Sequence, residues 1–286
     1  MKTPKRIQPL VEDGLVDEVL RQLMSGKEAT VYAVRCGEEI RCAKVYKDVD
    51  KRSFKQAVQY REGRKVRNSR RARAMEKGSS YGRKQQESAW HNAEVDALYK
   101  LAAADVRVPQ PYGCFDGVLL MELITDDEGL VAPRLSEVSL TAEQALEDHA
   151  VMMQYVVRML CAGLVHGDLS EFNVLVDEYG PVIIDLPQAV DAAANNHAQA
   201  MLERDVDNMT SYYGQFAPEL IGRLYAPEIW ELYEAGDLHP EVELSGGYAA
   251  STESADVDGL MLEIKAVLEE EEKRKQREQD AEETEA

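Results

Sequence analysis

The sequence contains no run of about 20 apolar residues, the length that a helix needs to cross a lipid bilayer. Its first residues, 1–6, are mostly polar and lead into no apolar segment, so the pattern of a secretory signal is missing. The four cysteines form no Cys-x-x-Cys pair, which argues against a zinc site and agrees with reduced thiols. No internal repeat is visible. These absences predict a cytoplasmic protein without membrane contact.

Positive charge is scarce except in one segment. The chain of 286 residues has 33 Lys and Arg against 53 Asp and Glu, a formal net charge of −20. Residues 51–84 hold 13 of the basic residues against two acids, a local charge of +11. A like-charged segment of this kind stays solvated and extended. It either contacts the acidic body of the same protein or offers a surface to RNA or another polyanion.

The stretch from Leu164 to Val176 carries the clearest chemical signal. Asp168 is followed five residues later by Asn173, which enters an apolar run, and a second apolar run ends at Asp185. Two short strands joined by a turn at 178–181 would place Asn173 and Asp185 at neighbouring strand ends. Phosphoryl transfer needs one carboxylate that faces the nucleophile, plus a carboxylate and an amide that hold divalent metal. The spacing therefore predicts a phosphoryl-transfer site, with a nucleotide-binding half upstream.

The upstream segment 16–34 predicts a hairpin with Gly26 at its tip. This tip is not a Walker loop, because Lys27 is followed by Glu28 rather than by Ser or Thr. Its backbone N–H groups and the Ser25 hydroxyl could still cover phosphates. The alternative for this segment is an ordinary hairpin turn.

Lys44 lies on an alternating strand between the apolar residues Ala43 and Val45. On such a strand it is either solvated or reaches a cleft, where it would pair with phosphate oxygens and need a carboxylate to orient it. A helix is predicted from Glu87 to Leu101, and Glu94 on that helix is the candidate partner. The alternative is a surface glutamate.

With 44% hydrophobic residues, the chain can bury the core of one large domain or two small ones. The apolar strand 118–124 runs into the acidic link 125–129, which predicts a boundary between two lobes. Thr141 and Gln144 fit a capping box at the start of a long helix. The predicted apolar stripe of that helix is Ala145, His149, Met152, Met153, Val156, Leu160 and Leu164.

Further helices are predicted over 201–216, over 220–238 and over 257–268, where one apolar face would dock on the body. Asp205 and Asp207 in the first of these are either solvated or brace the loop around Asp168. Residues 269–286 carry almost nothing apolar and predict a solvated acidic tail.

Together and in this order, these motifs resemble the RIO family of atypical serine/threonine protein kinases, from about Val16 to Leu238. The likeness covers that family's phosphate loop, lysine strand, regulatory helix, hinge, post-hinge loop, catalytic loop and metal site. The matching segments are, in the same order, Ser25–Tyr32, Ala43–Lys47, Trp90–Glu94, Met121–Ile124, Ala132–Leu135, His166–Asn173 and Ile184–Asp185.

The resemblance implies a two-lobed, protein-kinase-like α+β fold with a small β-rich N-lobe and a helical C-lobe. The expected domains are an N-lobe at 1–124 with the basic insert 51–84, a C-lobe at 125–240, and a docking helix with an acidic tail at 241–286. An ordinary activation segment is not expected, since no Ala-Pro-Glu follows soon after Asp185 and Gly167 rather than Arg precedes Asp168. Because its kinase-like part starts early, the sequence resembles the branch of the family that has no N-terminal winged helix.

The resemblance also implies roles for the residues of the catalytic loop and the metal site. Asp168 would be the catalytic carboxylate near the acceptor hydroxyl, with Ser170 as a further catalytic residue of the same loop. Asn173 and Asp185 would hold Mg²⁺, or Mn²⁺ in its place.

The nucleotide contacts implied by the resemblance begin with Lys44, which would bind the α- and β-phosphates of ATP while paired with Glu94. The hinge backbone would hold the adenine through Glu122 and Ile124. The whole implied nucleotide site comprises Ser25, Gly26, Lys27, Glu28, Val31, Lys44, Glu94, Met121, Glu122, Ile124 and Pro133.

The implied activity is ATP- and Mg²⁺-dependent phosphorylation of serine or threonine, on a protein substrate and on the chain itself. One alternative is a RIO-type ATPase switch that assembles an RNA–protein particle, with the basic segment 51–84 as its contact and phosphorylated Asp185 as an intermediate. Another is a small-molecule phosphotransferase, which shares the His-Gly-Asp-Leu motif. The segments Ser25–Tyr32 and Ala132–Leu135 argue against that last alternative.

Overall fold

The structure, a computed structural model, describes residues 2–26, 29–47 and 94–247. An antiparallel sheet forms the first part of this region, and helices dominate the later part, which is the predicted α+β arrangement. A short helix, α1 (Gln8–Glu12), precedes the sheet. The five strands run in the order β1-β2-β3-β5-β4: β1 (Glu18–Ser25), β2 (Ala29–Cys36), β3 (Glu39–Tyr46), β4 (Pro111–Phe115) and β5 (Val118–Glu122).

Strand β5 shows why a continuous apolar run forms a central strand. Side chains alternate between the two faces of a strand, so a run that is apolar throughout has both faces buried. Leu120 packs in a cluster with Leu10 of α1 and with Ile7 just before it, whereas Leu119 belongs to the larger core that the later helices share. The sheet is therefore covered on both sides at β5.

The predicted hairpin around Gly26 is present. Strands β1 and β2 pair antiparallel with Ser25 opposite Thr30, and the Gly26 N–H donates to the Ala29 carbonyl at 2.9 Å. Lys27 and Glu28 at the tip lie outside the described residues.

The predicted long helix is α3 (Ala142–Cys161), which follows helix α2 at 94–102. Thr141 caps α3 by accepting from the Gln144 N–H, and the Gln144 side chain accepts from the Thr141 N–H at 3.0 Å. The predicted apolar stripe is buried along the helix, but Leu164 was wrongly included in it. Gly163 adopts φ +74° and ends the helical path, so Leu164 enters strand β6 (Leu164–Val165) instead.

The later elements surround the loop between β6 and the next hairpin. They are β7 (Val174–Asp177), β8 (Gly180–Ile183), β9 (Val190–Asp191), α4 (Ala198–Tyr213) and α5 (Tyr225–Ala235), with 3₁₀ turns at Leu135–Glu137 and Pro218–Leu220. Helix α4 begins at Ala198, earlier than predicted, directly after a turn in which the Asn195 side chain accepts from the His197 N–H at 2.8 Å.

The predicted helix over 220–238 is shorter in the structure, since a 3₁₀ turn and a link precede α5. Three sequence predictions fall wholly outside the described residues: the basic segment 51–84, the docking helix 257–268 and the acidic tail. Residues 87–93 of the helix predicted from Glu87 to Leu101 also lie outside them, and the rest of it is α2. Among the helices within the described ranges, none combines the length and the apolar character required to cross a membrane.

Candidate active site

Lys44 lies at the centre of a charged cluster that joins three elements. Its Nζ, on β3, donates to Glu94 Oε1 of α2 at 2.6 Å and to Asp185 Oδ1, just after β8, at 2.8 Å. The Lys44 side chain is 11% exposed, whereas that of Asp185 is 48% exposed. The Tyr46 hydroxyl donates to the second carboxylate oxygen of Glu94. The Lys44–Glu94 ion pair expected from the sequence is thus present, and it extends to Asp185.

Both sides of this cluster stay charged. Burial lowers the pKa of Lys44, but the carboxylates of Glu94 and Asp185 raise it by more, so the pKa lies above the ordinary value of a lysine. For Asp185 the opposite holds: burial raises the pKa of the carboxyl, and Lys44, with His166 and Arg134 contributing, lowers it by more. The site therefore presents a fixed ammonium beside a carboxylate that is half open to solvent.

The loop around Asp168 is anchored on helix α4 by Asp205. This carboxylate is 1% exposed. It accepts from the Gly167 N–H at 2.7 Å and from the Leu169 N–H at 2.9 Å. Burial raises the pKa of the Asp205 carboxyl, and the two amide donors offset this only in part. Asp207, by contrast, is exposed, so of the two acids only Asp205 braces the loop.

His166 and Gln188 orient Asp168 from two sides. The Asp168 N–H donates to His166 Nδ1 at 3.2 Å, and His166 Nε2 lies 3.2 Å from the Ile184 carbonyl. This arrangement requires the neutral tautomer with its proton on Nε2. Gln188 Nε2 donates to Asp168 Oδ2 at 3.2 Å and leaves the carboxylate exposed. Asp168 is thereby held in place without being enclosed.

The two candidate metal ligands lie at the same end of the β7–β8 hairpin. Val174, next to Asn173, pairs with Ile183, and the Ile184 N–H donates to the Asn173 carbonyl at 2.9 Å. Asn173 Nδ2 donates to the Asp168 carbonyl at 2.8 Å, so the amide oxygen is the group of this side chain that can bind a cation. Asp185 adopts φ +67°, a strained conformation for a residue with a side chain.

This donor set fits magnesium. Mg²⁺ prefers oxygen ligands, and proteins often supply only one or two carboxylates while substrate phosphates and water complete the octahedron. Asn173 and Asp185 provide an amide and a carboxylate oxygen of this kind. Within the described ranges no group of three or more His, Cys, Asp or Glu side chains is arranged to hold a metal, so a fully protein-bound cation is not indicated there.

The hinge residues already use part of their backbone. The Glu122 N–H donates to the Gln110 carbonyl at 2.9 Å, and the Ile124 carbonyl accepts from the Ala132 N–H at 3.0 Å. Adenine binding as predicted would therefore depend on the Glu122 carbonyl and the Ile124 N–H. Met121 and Pro133 flank this segment, and both are partly buried.

At the phosphate-loop end, Lys47 fixes the residues that are described. Its Nζ donates to Ser25 Oγ at 3.0 Å and to the Gly26 carbonyl at 2.6 Å. Val31 pairs directly with Lys44 in the β2–β3 register. Ser170 of the catalytic loop accepts from the Asn173 N–H through its carbonyl at 2.9 Å, which forms the turn between Asp168 and Asn173.

Sequence reasoning missed several residues that shape the site. Tyr46 could have been found, because it lies two residues after Lys44 and so on the same face of β3. Gln188 and Arg107 gave no local signal, since their partners are distant in the sequence. Arg107 donates to Glu122 and to Asp177, in β5 and β7.

The structure has the features of a protein-kinase-like fold. Lys44 lies on the central strand of the sheet, β5 leads from the sheet towards the helical part, and that later part carries Asp168, Asn173 and Asp185. A family model described as the RIO domain matches residues 30–223. The chain belongs to the RIO family of serine/threonine-protein kinases, as the sequence motifs predicted.

Curated relatives agree with this assignment. The chain is similar to the RIO-type serine/threonine-protein kinase Rio1 of Haloferax volcanii, with 35% identity over 72% of this chain and 67% of that protein. Similarity to the human serine/threonine-protein kinase RIO1 is 33% over 70% of this chain, but only 34% of the human protein is covered. The chain thus matches about a third of the human relative's length.

A solved structure supports the fold. The Rio2 kinase of Chaetomium thermophilum, in a complex with ADP, Mg²⁺ and phosphoaspartate, gives a TM-score of 0.55 at 20% identity. The match covers 79% of this chain and 64% of the Rio2 chain. The kinase-like fold predicted from the sequence is therefore confirmed.

Proposed function

We propose that this chain is an ATP- and Mg²⁺-dependent serine/threonine kinase that also phosphorylates itself. The observation that carries the proposal is the hydrogen-bonded connection of Lys44, Asp168 and Asp185. Lys44 hydrogen-bonds directly to Asp185, while Asn173 links the hairpin that precedes Asp185 to the Asp168 carbonyl. These are the parts that phosphoryl transfer between a nucleotide and a hydroxyl requires.

In this proposal Lys44 binds the α- and β-phosphates of ATP, and Glu94 with Tyr46 fixes the direction of its ammonium group. Ser25 and Gly26, held by Lys47, contribute the described end of the phosphate loop. The adenine lies against the hinge at Glu122 and Ile124. Lys27, Glu28 and Val31 complete the predicted phosphate side, with Met121 and Pro133 on the adenine side.

Asn173 and Asp185 would hold Mg²⁺, or Mn²⁺ in its place, and the bound cation would neutralise negative charge on the phosphates. The acceptor hydroxyl would lie at the exposed Asp168 carboxylate, which accepts its proton. Gln188 holds that carboxylate in position, His166 holds the Asp168 backbone, and Ser170 shapes the loop beside it. Because Asp168 is exposed, a side chain of a folded protein can reach it.

A second candidate function is an ATPase switch with a phosphorylated Asp185. The solved Rio2 complex contains a phosphoaspartate together with ADP and Mg²⁺, which favours this candidate. In such a cycle an Asp185 oxygen attacks the γ-phosphorus, the bond to the β-phosphate oxygen breaks and ADP leaves. Water then hydrolyses the acyl phosphate to inorganic phosphate. Contact with an RNA–protein particle through residues 51–84 would be the partner interaction, and it rests on the charge of that segment alone.

One experiment separates the two functions. Wild type, Asp168→Asn, Asp185→Asn and the exposed control Asp207→Asn are incubated with Mg²⁺ and ATP labelled on the γ-phosphate. Free phosphate and protein-bound label are followed, and the label is tested for stability to acid and hydroxylamine. We expect acid-stable label on serine or threonine, lost in Asp168→Asn and retained in Asp207→Asn.

Hydroxylamine-sensitive label that disappears in Asp185→Asn would instead establish the switch. Neither label nor phosphate release from the wild type would overturn both functions. Unchanged rates in Asp168→Asn and Asp185→Asn would overturn the assignment of the site.

A further inference from the structure

Arg107, in the link between α2 and β4, connects two parts of the cleft that lie far apart in the sequence. Its guanidinium donates to Glu122 through both terminal nitrogens, at 2.8 Å and 2.9 Å. The second of these nitrogens also donates to Asp177 Oδ2 at 3.1 Å. We call these three residues the Arg107 clamp. A planar guanidinium can bind two carboxylates in this fork geometry, whereas a lysine ammonium cannot reproduce it.

One arm of the Arg107 clamp ends on the hairpin that carries the candidate metal ligands. The Asp177 side chain is 4% exposed, and its other oxygen accepts from the Tyr179 N–H at 2.9 Å within the hairpin turn. The Arg107 carbonyl also accepts from the Ile183 N–H at 2.9 Å. Arg107 therefore holds the hairpin at both ends of β8, just before the chain reaches Asp185.

The other arm ends on the strand that leads into the hinge. Glu122 is the last residue of β5, and its carboxylate accepts from the Gln110 N–H at 3.0 Å besides binding Arg107. Burial raises the pKa of Glu122, but the Arg107 and Gln110 hydrogen bonds lower it by more, so the carboxylate stays ionised. The Glu122 carbonyl is the group proposed above to hold the adenine.

The Arg107 clamp acts together with apolar packing between the same segments. Ile124 packs with Val182 of β8, and Leu119 of β5 shares the larger core with Ile183. Arg107 itself borders a depression that is open to solvent, with Gln110 and Tyr155 in its wall. The clamp therefore adds a directional polar connection to this packing. Removing one partner of such a pair costs more than removing one partner of a surface pair, because a shielded charge is then left uncompensated.

We infer that Arg107 is a positioning residue for phosphoryl transfer. It sets the adenine-binding hinge and the metal-binding hairpin at the separation that one bound nucleotide requires, and it touches neither the nucleotide nor the metal. This inference rests on the proposed function, since it assigns the two ends of the clamp to the two ends of ATP.

The test compares Arg107→Gln, Arg107→Lys, Asp177→Asn and the double variant Arg107→Gln/Asp177→Asn with a matched control. Arg158→Gln serves as the control because Arg158 holds the same link, through the Asp105 carbonyl at 2.9 Å, and pairs with Glu241 at 2.8 Å. Arg158 reaches neither the hinge nor the hairpin through these bonds. For each variant, kcat and the KM for ATP are measured with labelled ATP, and ADP affinity with Mg²⁺ by calorimetry. Thermal unfolding and amide hydrogen exchange without nucleotide complete the set.

We expect Arg107→Gln to raise the KM for ATP and to lower kcat by about tenfold each, because small misplacements of reacting groups are costly. Asp177→Asn should act in the same direction and add nothing in the Arg107→Gln background, since both remove the same connection. Arg107→Lys should restore part of the loss. Hydrogen exchange should become faster both in 118–122 and in 174–183 for Arg107→Gln, and in neither for Arg158→Gln.

A purely structural role predicts a different result. Arg107→Gln and Asp177→Asn would then lower thermal stability as Arg158→Gln does, while KM and kcat of the folded enzyme stay within about twofold of wild type. That outcome would overturn the inference. If the wild type turns over no ATP, the proposed function fails, and hydrogen exchange still decides whether Arg107 couples the two segments: unchanged exchange in Arg107→Gln would refute the coupling.

Discussion

Replacing Asp205 with alanine removes both acceptors that hold the catalytic loop on α4. The Gly167 and Leu169 N–H groups, at 2.7 Å and 2.9 Å from the carboxylate, would lose their partners in a buried environment. Each buried N–H left without an acceptor costs about 1 to 3 kcal/mol, so the two together cost about 2 to 6 kcal/mol. The variant also avoids the cost of burying a charge, which the raised pKa of Asp205 reports. We therefore expect the free energy of unfolding to fall by about 3 kcal/mol.

Asp205→Asn gives a sharper measurement, because its amide keeps one oxygen acceptor and turns its NH₂ group toward a backbone donor. Its loss should be about half that of alanine. Turnover should nevertheless fall by about 100-fold, since a shift of the loop near 1 Å misplaces Asp168. Urea unfolding and labelled-phosphate transfer measure the two effects. Asp207→Asn, on the exposed face of α4, should change the free energy of unfolding by less than about 0.5 kcal/mol. If both Asp205 variants matched that control, the bracing role would be refuted.

Two further predictions concern buried polar groups. Burial lowers the pKa of His149 from 6.5 to about 4, so between these pH values the unfolded chain binds a proton that the folded chain does not. The free energy of unfolding should therefore drop by about 3 kcal/mol as pH falls from 7 to 4. Denaturation curves of His149→Gln across that range should show a weaker pH dependence, and an unchanged slope would contradict the prediction. Glu94→Gln leaves Lys44 with Asp185 as its one carboxylate partner in this cluster. Turnover in the labelled-ATP assay should therefore fall by about 100-fold while the chain stays folded. Turnover at the wild-type rate would show that Glu94 does not orient Lys44.

Local patterns predicted the elements whose hydrogen bonds are local. The Thr141 cap, the hairpin at Gly26 and the β7–β8 pair depend on residues a few positions apart, and all three are present. Leu164 shows the limit of such patterns. Its spacing continues the helical stripe, but the helix ends at Cys161 and Gly163 then adopts a positive φ, so the predicted stripe extends past the end of the helix.

The supports of the site depend instead on contacts between distant segments. The sequence makes Asp205 and Asp207 equally plausible as the brace of the catalytic loop. Because they are two positions apart on one helix, their side chains point in very different directions. Only the placement of α4 against the catalytic loop decides between them. Arg107 bonds to residues 15 and 70 positions away, and no periodicity or motif connects them. The pair of Lys44 and Glu94 could be predicted because both lie in recognisable motifs, whereas Arg107 lies in none and could not be.

Burial separates the acids of this strongly acidic chain into two groups. An ionised carboxylate is costly to bury unless hydrogen bonds or an opposite charge compensate it. Glu94, Asp177 and Asp205 have buried side chains. Glu94 accepts from Lys44, Asp177 accepts from Arg107, and Asp205 accepts from two N–H groups of the catalytic loop. Asp168 and Asp185 stay accessible, as groups that meet a hydroxyl, a phosphate or a cation must be. Among the described acids, deep burial therefore marks those that position the site, and exposure within the cleft marks those proposed to carry out its chemistry.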